Sequence, residues 1–180
     1  MRTAPAIAAD DDLGARILKV NHAGENGAIH IYAAQAFVAR LTAPSLVPEL
    51  LAFKAHEERH RAVFMAELDA RGRAKCRSDR LCALGGLVLG VVTALFGRAA
   101  MAATTVAVER VVLRHLEAQI AALHETDPKA TAAILSVLAD EQQHHDQSAA
   151  HLTTQRRWLR VLQPIVSGAT EAVIWLGMRL

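Results

Sequence analysis

Six side chains, Glu25, Glu57, His60, Glu109, Glu141 and His144, stand in two copies of one constellation. In each copy the second Glu follows the first by 32 residues, and the His follows that Glu by three. The second copy is the first displaced by 84 residues. Carboxylates and imidazoles without thiolates suit iron or manganese better than copper or a structural zinc site. Four Glu balance most of the charge of two divalent ions, and two neutral His nitrogens leave coordination positions open for dioxygen. A pair of ferrous ions can give dioxygen two electrons. That chemistry serves iron oxidation, peroxide reduction or oxygen insertion into an organic substrate, and spacing alone does not choose among them.

Such a set needs four helices to hold it. Residues three apart lie on one helix face, so Glu57 with His60, and Glu141 with His144, can each address one point. In a tight helical hairpin, residues equidistant from the turn lie level. The midpoint of Glu25 and Glu57 is position 41, beside Thr42, Pro44 and Pro48; that of Glu109 and Glu141 is 125, beside Thr126, Asp127 and Pro128. Both midpoints carry helix-breaking chemistry. Each ligand then lies roughly 24 Å from its turn, about 16 residues at the helical rise. One Glu from each of two helices and a Glu-x-x-His pair from each of the other two is the ligand set of ferritin-like di-iron bundles. A single Glu-x-x-His is ordinarily surface decoration, and His56 with His60, or Glu141 with His145, could also share a face. The joint match of both spacings, twice, with turns at both midpoints, selects the six.

The 180 residues suit one domain, 1–180, with a flexible start over 1–12. Ala, Leu and Val dominate without strand-like alternation, so the expected class is all-α: a ferritin-like four-helix bundle with two additional apolar, membrane-facing helices. A net charge of +2 gives no footprint for nucleic acid, while 52% hydrophobic residues is high for a freely soluble bundle. Cys76 and Cys82 form no zinc pattern and read as thiols of a reducing compartment. The N-terminal residues show neither an Arg-rich transit pattern nor a signal pattern, but the run Asp10–Asp12 suits a helix start.

Helices are expected over about 13–41, 45–71, 101–124 and 128–153. Gly24 and Gly27 flank Glu25, clearing space near the metals or marking a loosely packed turn. Between the halves, the basic residues Arg71, Arg73, Lys75, Arg77 and Arg80 precede 81–97, which holds no charged residue. Seventeen residues is short for crossing a bilayer, which takes about 20. Apolar residues beside clustered cations suggest a helix lying on or dipping into an anionic membrane surface, against the alternative of a helix buried by its neighbours with solvated arginines in the linker. Segment 158–180 has the same character, with Trp158 and Trp175 beside arginines, a pairing that suits a lipid–water interface or an ordinary docked helix.

The stretch Ile17-Leu-Lys-Val-Asn-His-Ala-Gly-Glu25-Asn-Gly-Ala, with Thr105-Val-Ala-Val-Glu109 and Asp140-Glu-Gln-Gln-His-His-Asp146, resembles the demethoxyubiquinone hydroxylase family of ubiquinone biosynthesis. The resemblance covers nearly all of 13–180 and places the family's metal ligands, which are also its catalytic set, on the same six residues. Asn21 and Asn26 stand where the first motif often has Asp and Tyr, and Leu116 where many relatives carry Tyr. These departures touch control of activation and leave the ligand set intact. The resemblance implies a monooxygenase with two iron ions and dioxygen as co-substrate, peripheral to the cytoplasmic face of a bacterial cell membrane. Its substrate would be a polyprenylated demethoxy-quinol, its partners the membrane and other quinone-biosynthesis proteins or a reductase.

No Gly-rich strand–turn–helix signature for a nicotinamide or flavin is present, and Gly86-x-x-x-Gly90 reads as a helix-packing or lipid-facing pair. Electrons would come from the quinol, from NADH reacting directly, or from a separate reductase. The rival readings are ferritin- or rubrerythrin-like iron oxidation or peroxide scavenging, a di-iron oxygenase acting on tRNA, and a non-catalytic membrane scaffold. The weak net charge argues against tRNA. The missing Cys pattern argues against a rubrerythrin-type electron-transfer iron, and the complete ligand set against a scaffold.

Overall fold

The computed structural model describes residues 9–152 and 156–180, and among these every regular element is helical. They are α1 (Ala9–Thr42), a 3₁₀ turn (Pro44–Leu46), α2 (Val47–Ala70), α3 (Asp79–Leu95), α4 (Arg98–Leu123), α5 (Pro128–Ala150) and α6 (Arg156–Gly177). The expected flexible start lies outside the described residues over 1–8, as does the expected end of the fifth helix at Thr153. Helix α1 begins four residues earlier than expected and carries the acidic run in its first turns. Helix α3 begins at Asp79, two residues before the uncharged segment.

Both expected hairpins are present. Pro44 starts the 3₁₀ turn between α1 and α2. At the other, Asp127 caps α5 by accepting from the Ala130 N–H (3.1 Å), with Pro128 at the first helical position. Arg71 donates to both oxygens of the same Asp127 (2.5 and 2.9 Å), which ties the end of α2 to the start of α5. Gly72, at φ +62°, ends α2: its N–H bonds Asp69 O and that of Arg73 bonds Leu68 O, so the left-handed residue satisfies two terminal carbonyls.

α1 packs along α2 and α3, and α4 along α5 and α6, while α2 faces α5. Two larger apolar clusters, among four in the described residues, flank the candidate ligands. One gathers Leu18, Phe64, Leu68, Leu123 and Ile134; the other Tyr32, Phe53, Met101 and Leu46. On α1, α2 and α4 the candidate ligands fall between residues of these two clusters. The ligand layer is therefore a polar slab between two dry ends.

The apolar third helix is neither wholly buried nor wholly free. Cys82, Gly86, Gly90, Thr93 and Ala94 turn inward. A β-carbon at Gly86 would lie 2.1 Å from Gly27 O, and one at Gly90 2.5 Å from Ile31 O, so the glycines let α3 lie against the α1 backbone. The room at Gly27 is thus taken by α3, whereas Gly24 has nothing within 4 Å. The opposite side of α3 exposes Leu84, Val88, Val91 and Leu95. No described helix is long and apolar enough to cross a membrane.

Candidate metal centre

The four helices α1, α2, α4 and α5 bring all six expected residues into one buried layer, none more than 6% exposed. Two overlapping groups result, Glu25, Glu57, His60 and Glu141, and Glu57, Glu109, Glu141 and His144. Within each, one potential ligand atom per residue lies within 4.8 Å of the others. Glu57 and Glu141 belong to both groups, the position a bridging carboxylate would take. The i, i+3 spacing is what aims each His at its own Glu: His60 Nδ1 lies 3.5 Å from Glu57 Oε2 and His144 Nδ1 3.5 Å from Glu141 Oε2.

The donor set fits a pair of divalent ions. His60 Nδ1 lies 2.9 Å from Glu141 Oε1, and His144 Nδ1 3.1 Å from Glu57 Oε1. Close as these approaches are, the angles make no hydrogen bond, and both nitrogens and both Glu57 oxygens are buried without a hydrogen-bond partner. Buried polar atoms are nearly always satisfied, so four convergent orphans point to ligand atoms. The charges tell the same story. Burial and the neighbouring carboxylates push Glu25 and Glu109 well above the usual carboxylate range. Burial also works against Glu57, but the facing His144 and His60 outweigh it and hold Glu57 down at about 2. Burial lowers the two rings as well, yet Glu141 and Glu57 raise His60 to about 10 and His144 to about 9. Four carboxylates packed this tightly require positive charge, which protons or metal ions can supply.

Outside this layer stand residues that spacing did not single out as site residues. His60 Nε2 lies 3.0 Å from Asp140 Oδ2, and His144 Nε2 3.1 Å from His56 Nδ1. With an ion held at Nδ1, each Nε2–H would donate outward, which would fix ring orientation and tautomer. His56 thus backs the His144 ring and contributes no atom to either group, and His145 contacts the exposed Asp146. Neither His56 nor His145 joins the two groups. Tyr32, the sole tyrosine in the chain, donates its hydroxyl to Glu109 Oε1 at 2.8 Å. Burial and that carboxylate raise the phenol well above its usual range, so it stays a donor. Its signal in the sequence was a position seven after Glu25, two turns along the same face.

A cavity of about 280 Å³ reaches the carboxylates Glu25, Glu57, Glu109 and Glu141. Its walls come from α1, α3, α4 and α6, and they are apolar except for the carboxylates, Asn21, Gln119, His115, Thr170 and Cys82. The two apolar helices therefore wall an approach to the ligand layer.

Residues 12–177 match the family described as ubiquinone biosynthesis protein COQ7. A mouse protein named NADPH-dependent 3-demethoxyubiquinone 3-hydroxylase, mitochondrial, is 33% identical over 168 residues, 91% of this chain and 76% of its own. The human protein of the same name is 34% identical over 172 residues, 92% and 77% of the two chains. A 3-demethoxyubiquinol 3-hydroxylase of Rhodospirillum rubrum is 31% identical over 166 residues, again 92% and 77%.

Proposed function

This chain belongs to the COQ7 family of ubiquinone biosynthesis, and on that premise we propose that it hydroxylates the ring of a polyprenylated demethoxy-benzoquinol with dioxygen. The fold in this reading is a ferritin-like bundle of α1, α2, α4 and α5, with α3 and α6 as the added apolar, membrane-facing helices. Glu25, Glu57, His60, Glu109, Glu141 and His144 would hold two iron ions, with Glu57 and Glu141 between them. Bound ferrous ions supply the electrons that activate dioxygen.

The observation that carries the reading is the cavity. Iron oxidation or peroxide removal requires only a path for small polar species, whereas an apolar cavity ending on four carboxylates suits an apolar ring that must meet the metals. The alternative ferritin- or rubrerythrin-like reading has no comparable support. The protein's own residues supply orientation and dryness. Tyr32 and Asp140 hold Glu109 and His60 in place, Phe53 packs against His144 with ring centroids 4.3 Å apart, and the clusters at either end exclude water. A cavity walled in part by α3 and α6 would spare the polyprenyl tail a passage through water. Together with the exposed side of α3, it supports a peripheral place on a membrane surface, which in this reading is the cytoplasmic face of a bacterial membrane. The mammalian relatives are NADPH-dependent by name, so a nicotinamide is the first electron donor to test, ahead of the quinol itself or a reductase.

The test is isotopic. Protein loaded anaerobically with Fe(II) is given a short-chain demethoxy-quinol, NADPH or NADH, and oxygen-18 dioxygen. One labelled atom in the product ring is expected. No label with iron bound, with either donor or an added reductase, would overturn the proposal.

A further inference from the structure

We propose that the reciprocal amide pair of Asn21 and Gln119 reads the oxygens of the substrate ring and sets the selectivity of the cavity. The inference rests on the quinol-hydroxylase reading above and names the residues that recognise the ring.

Asn21 lies one turn before Glu25 on α1. Gln119 lies ten residues after Glu109 on α4. Tyr32 meets Glu109 and Asn21 meets Gln119, so the two helices run antiparallel and the amides meet at the wall of the cavity they both line. Asn21 Nδ2 donates to Gln119 Oε1 at 2.8 Å, and Gln119 Nε2 donates to Asn21 Oδ1 at 3.1 Å. A primary amide has two N–H groups and two lone pairs. The mutual pair uses one of each, which leaves both residues one donor and one acceptor.

The other polar groups of the wall are each partly engaged. Thr170 Oγ1 donates to Val166 O at 2.9 Å, and His115 Nε2 lies 2.8 Å from Glu171 Oε2. The four carboxylates belong to the ligand layer, and a thiol such as Cys82 is a weak donor. Thr170 keeps only acceptor lone pairs and His115 only its Nδ1, whereas each member of the amide pair keeps both a donor and an acceptor.

That combination matches the ring in both redox states. Quinone and methoxy oxygens accept, whereas quinol hydroxyls also donate; an amide serves both without changing charge. One helical turn separates Asn21 from Glu25, roughly 6 Å, which is comparable with the width of a six-membered ring and its oxygens. A ring held by the pair would present its far edge to the carboxylate layer. The Asn21 amide carries a donor that a carboxylate lacks. Gln119 is buried, so a ring unable to answer it would leave a desolvated amide unpaired.

The test separates ring from tail. Binding is measured by calorimetry for a short-chain demethoxy-quinone and for a ringless isoprenoid alcohol of the same tail length. The wild-type protein and the double variant Asn21→Leu/Gln119→Met are compared, with helix content and Mn(II) stoichiometry as controls. Removing both amides leaves neither partner orphaned. The double variant is expected to lose about tenfold or more in quinone affinity and to bind the ringless alcohol as the wild type does. If the double variant loses helix content, the near-isosteric Asn21→Asp and Gln119→Glu carry the test; each is expected to weaken the quinone, which only accepts, more than the quinol. Equal quinone binding by wild type and variants overturns the amide assignment alone. A wild-type protein that binds neither probe overturns the quinol-hydroxylase reading and the assignment with it.

Discussion

At the scale of single residues, the six candidate ligands were legible because helical geometry converts sequence spacing directly into shared position. Their supports were not. Asp140 and His56 lie one residue before Glu141 and Glu57, where spacing gives no hint that they back a ring across the bundle. Tyr32 meets Glu109 from another helix, a contact only the assembled fold reveals. The division of labour gives a ranking: His56→Gln, beside the layer, should weaken Mn(II) binding less than His60→Gln, which removes a proposed ligand. Titrations reporting the reverse order would mean the register of α2 is wrong. The same layer has a pH signature. In chelator-stripped protein His60 and His144 are raised to about 10 and about 9. Their contribution to stability is complete below the unfolded His value and is lost as pH rises through about 9 and 10. Glu57, held at about 2, contributes above the unfolded Glu value and loses that only as pH falls through about 2. Stripped protein should therefore melt at lower temperature as pH rises from neutral toward 10. Mn(II), which must displace those protons, should bind more tightly between about pH 6 and pH 8. A flat Mn(II) affinity over that range would remove the two rings from the ligand set.

At the scale of elements, the hairpins were readable because Pro and Asp stop helices by local chemistry, whereas the placement of α3 was not, because an uncharged helix can face lipid or protein equally well. What decides it is the absence of a side chain. Gly86 admits the Gly27 backbone, and any β-carbon there would meet backbone atoms that cannot swing aside. Gly86→Ala should force α3 off α1 at a cost of about 1–3 kcal/mol, the usual range for overpacking. That corresponds to roughly 2–10 °C of melting temperature for a domain of this size. Its neighbour supplies the control. Gly85 has nothing within 4 Å, so Gly85→Ala should be neutral or raise stability by up to about 1 kcal/mol through helix propensity alone. Differential melting curves check the pair, and equal losses at both positions would contradict the close contact.

At the scale of the whole molecule, α3 divides its apolar content between two duties. Its inward side completes the cavity wall. Its outward side is a stripe in which Arg80, Leu84, Val88, Val91 and Leu95 recur at three- and four-residue intervals, all exposed. The basic linker is smaller than its sequence suggests, since Arg71 is bound to Asp127 and Lys75 pairs with Asp79 at 3.0 Å. Arg77 and Arg80 remain exposed beside the stripe. A surface so built should bind lipid mainly through the aliphatic stripe, with about 1 kcal/mol added for each cation near an anionic headgroup. Vesicle flotation should therefore show binding to anionic liposomes at low salt that weakens with added salt without vanishing. Arg77→Glu/Arg80→Glu should reproduce the loss caused by salt, and Leu84→Glu/Val88→Glu should abolish binding in every buffer. Because both pairs point away from the ligand layer, Mn(II) stoichiometry should stay that of the wild type. Equal partitioning with and without liposomes at low salt would sink the membrane reading, and the stripe would then need a protein to cover it.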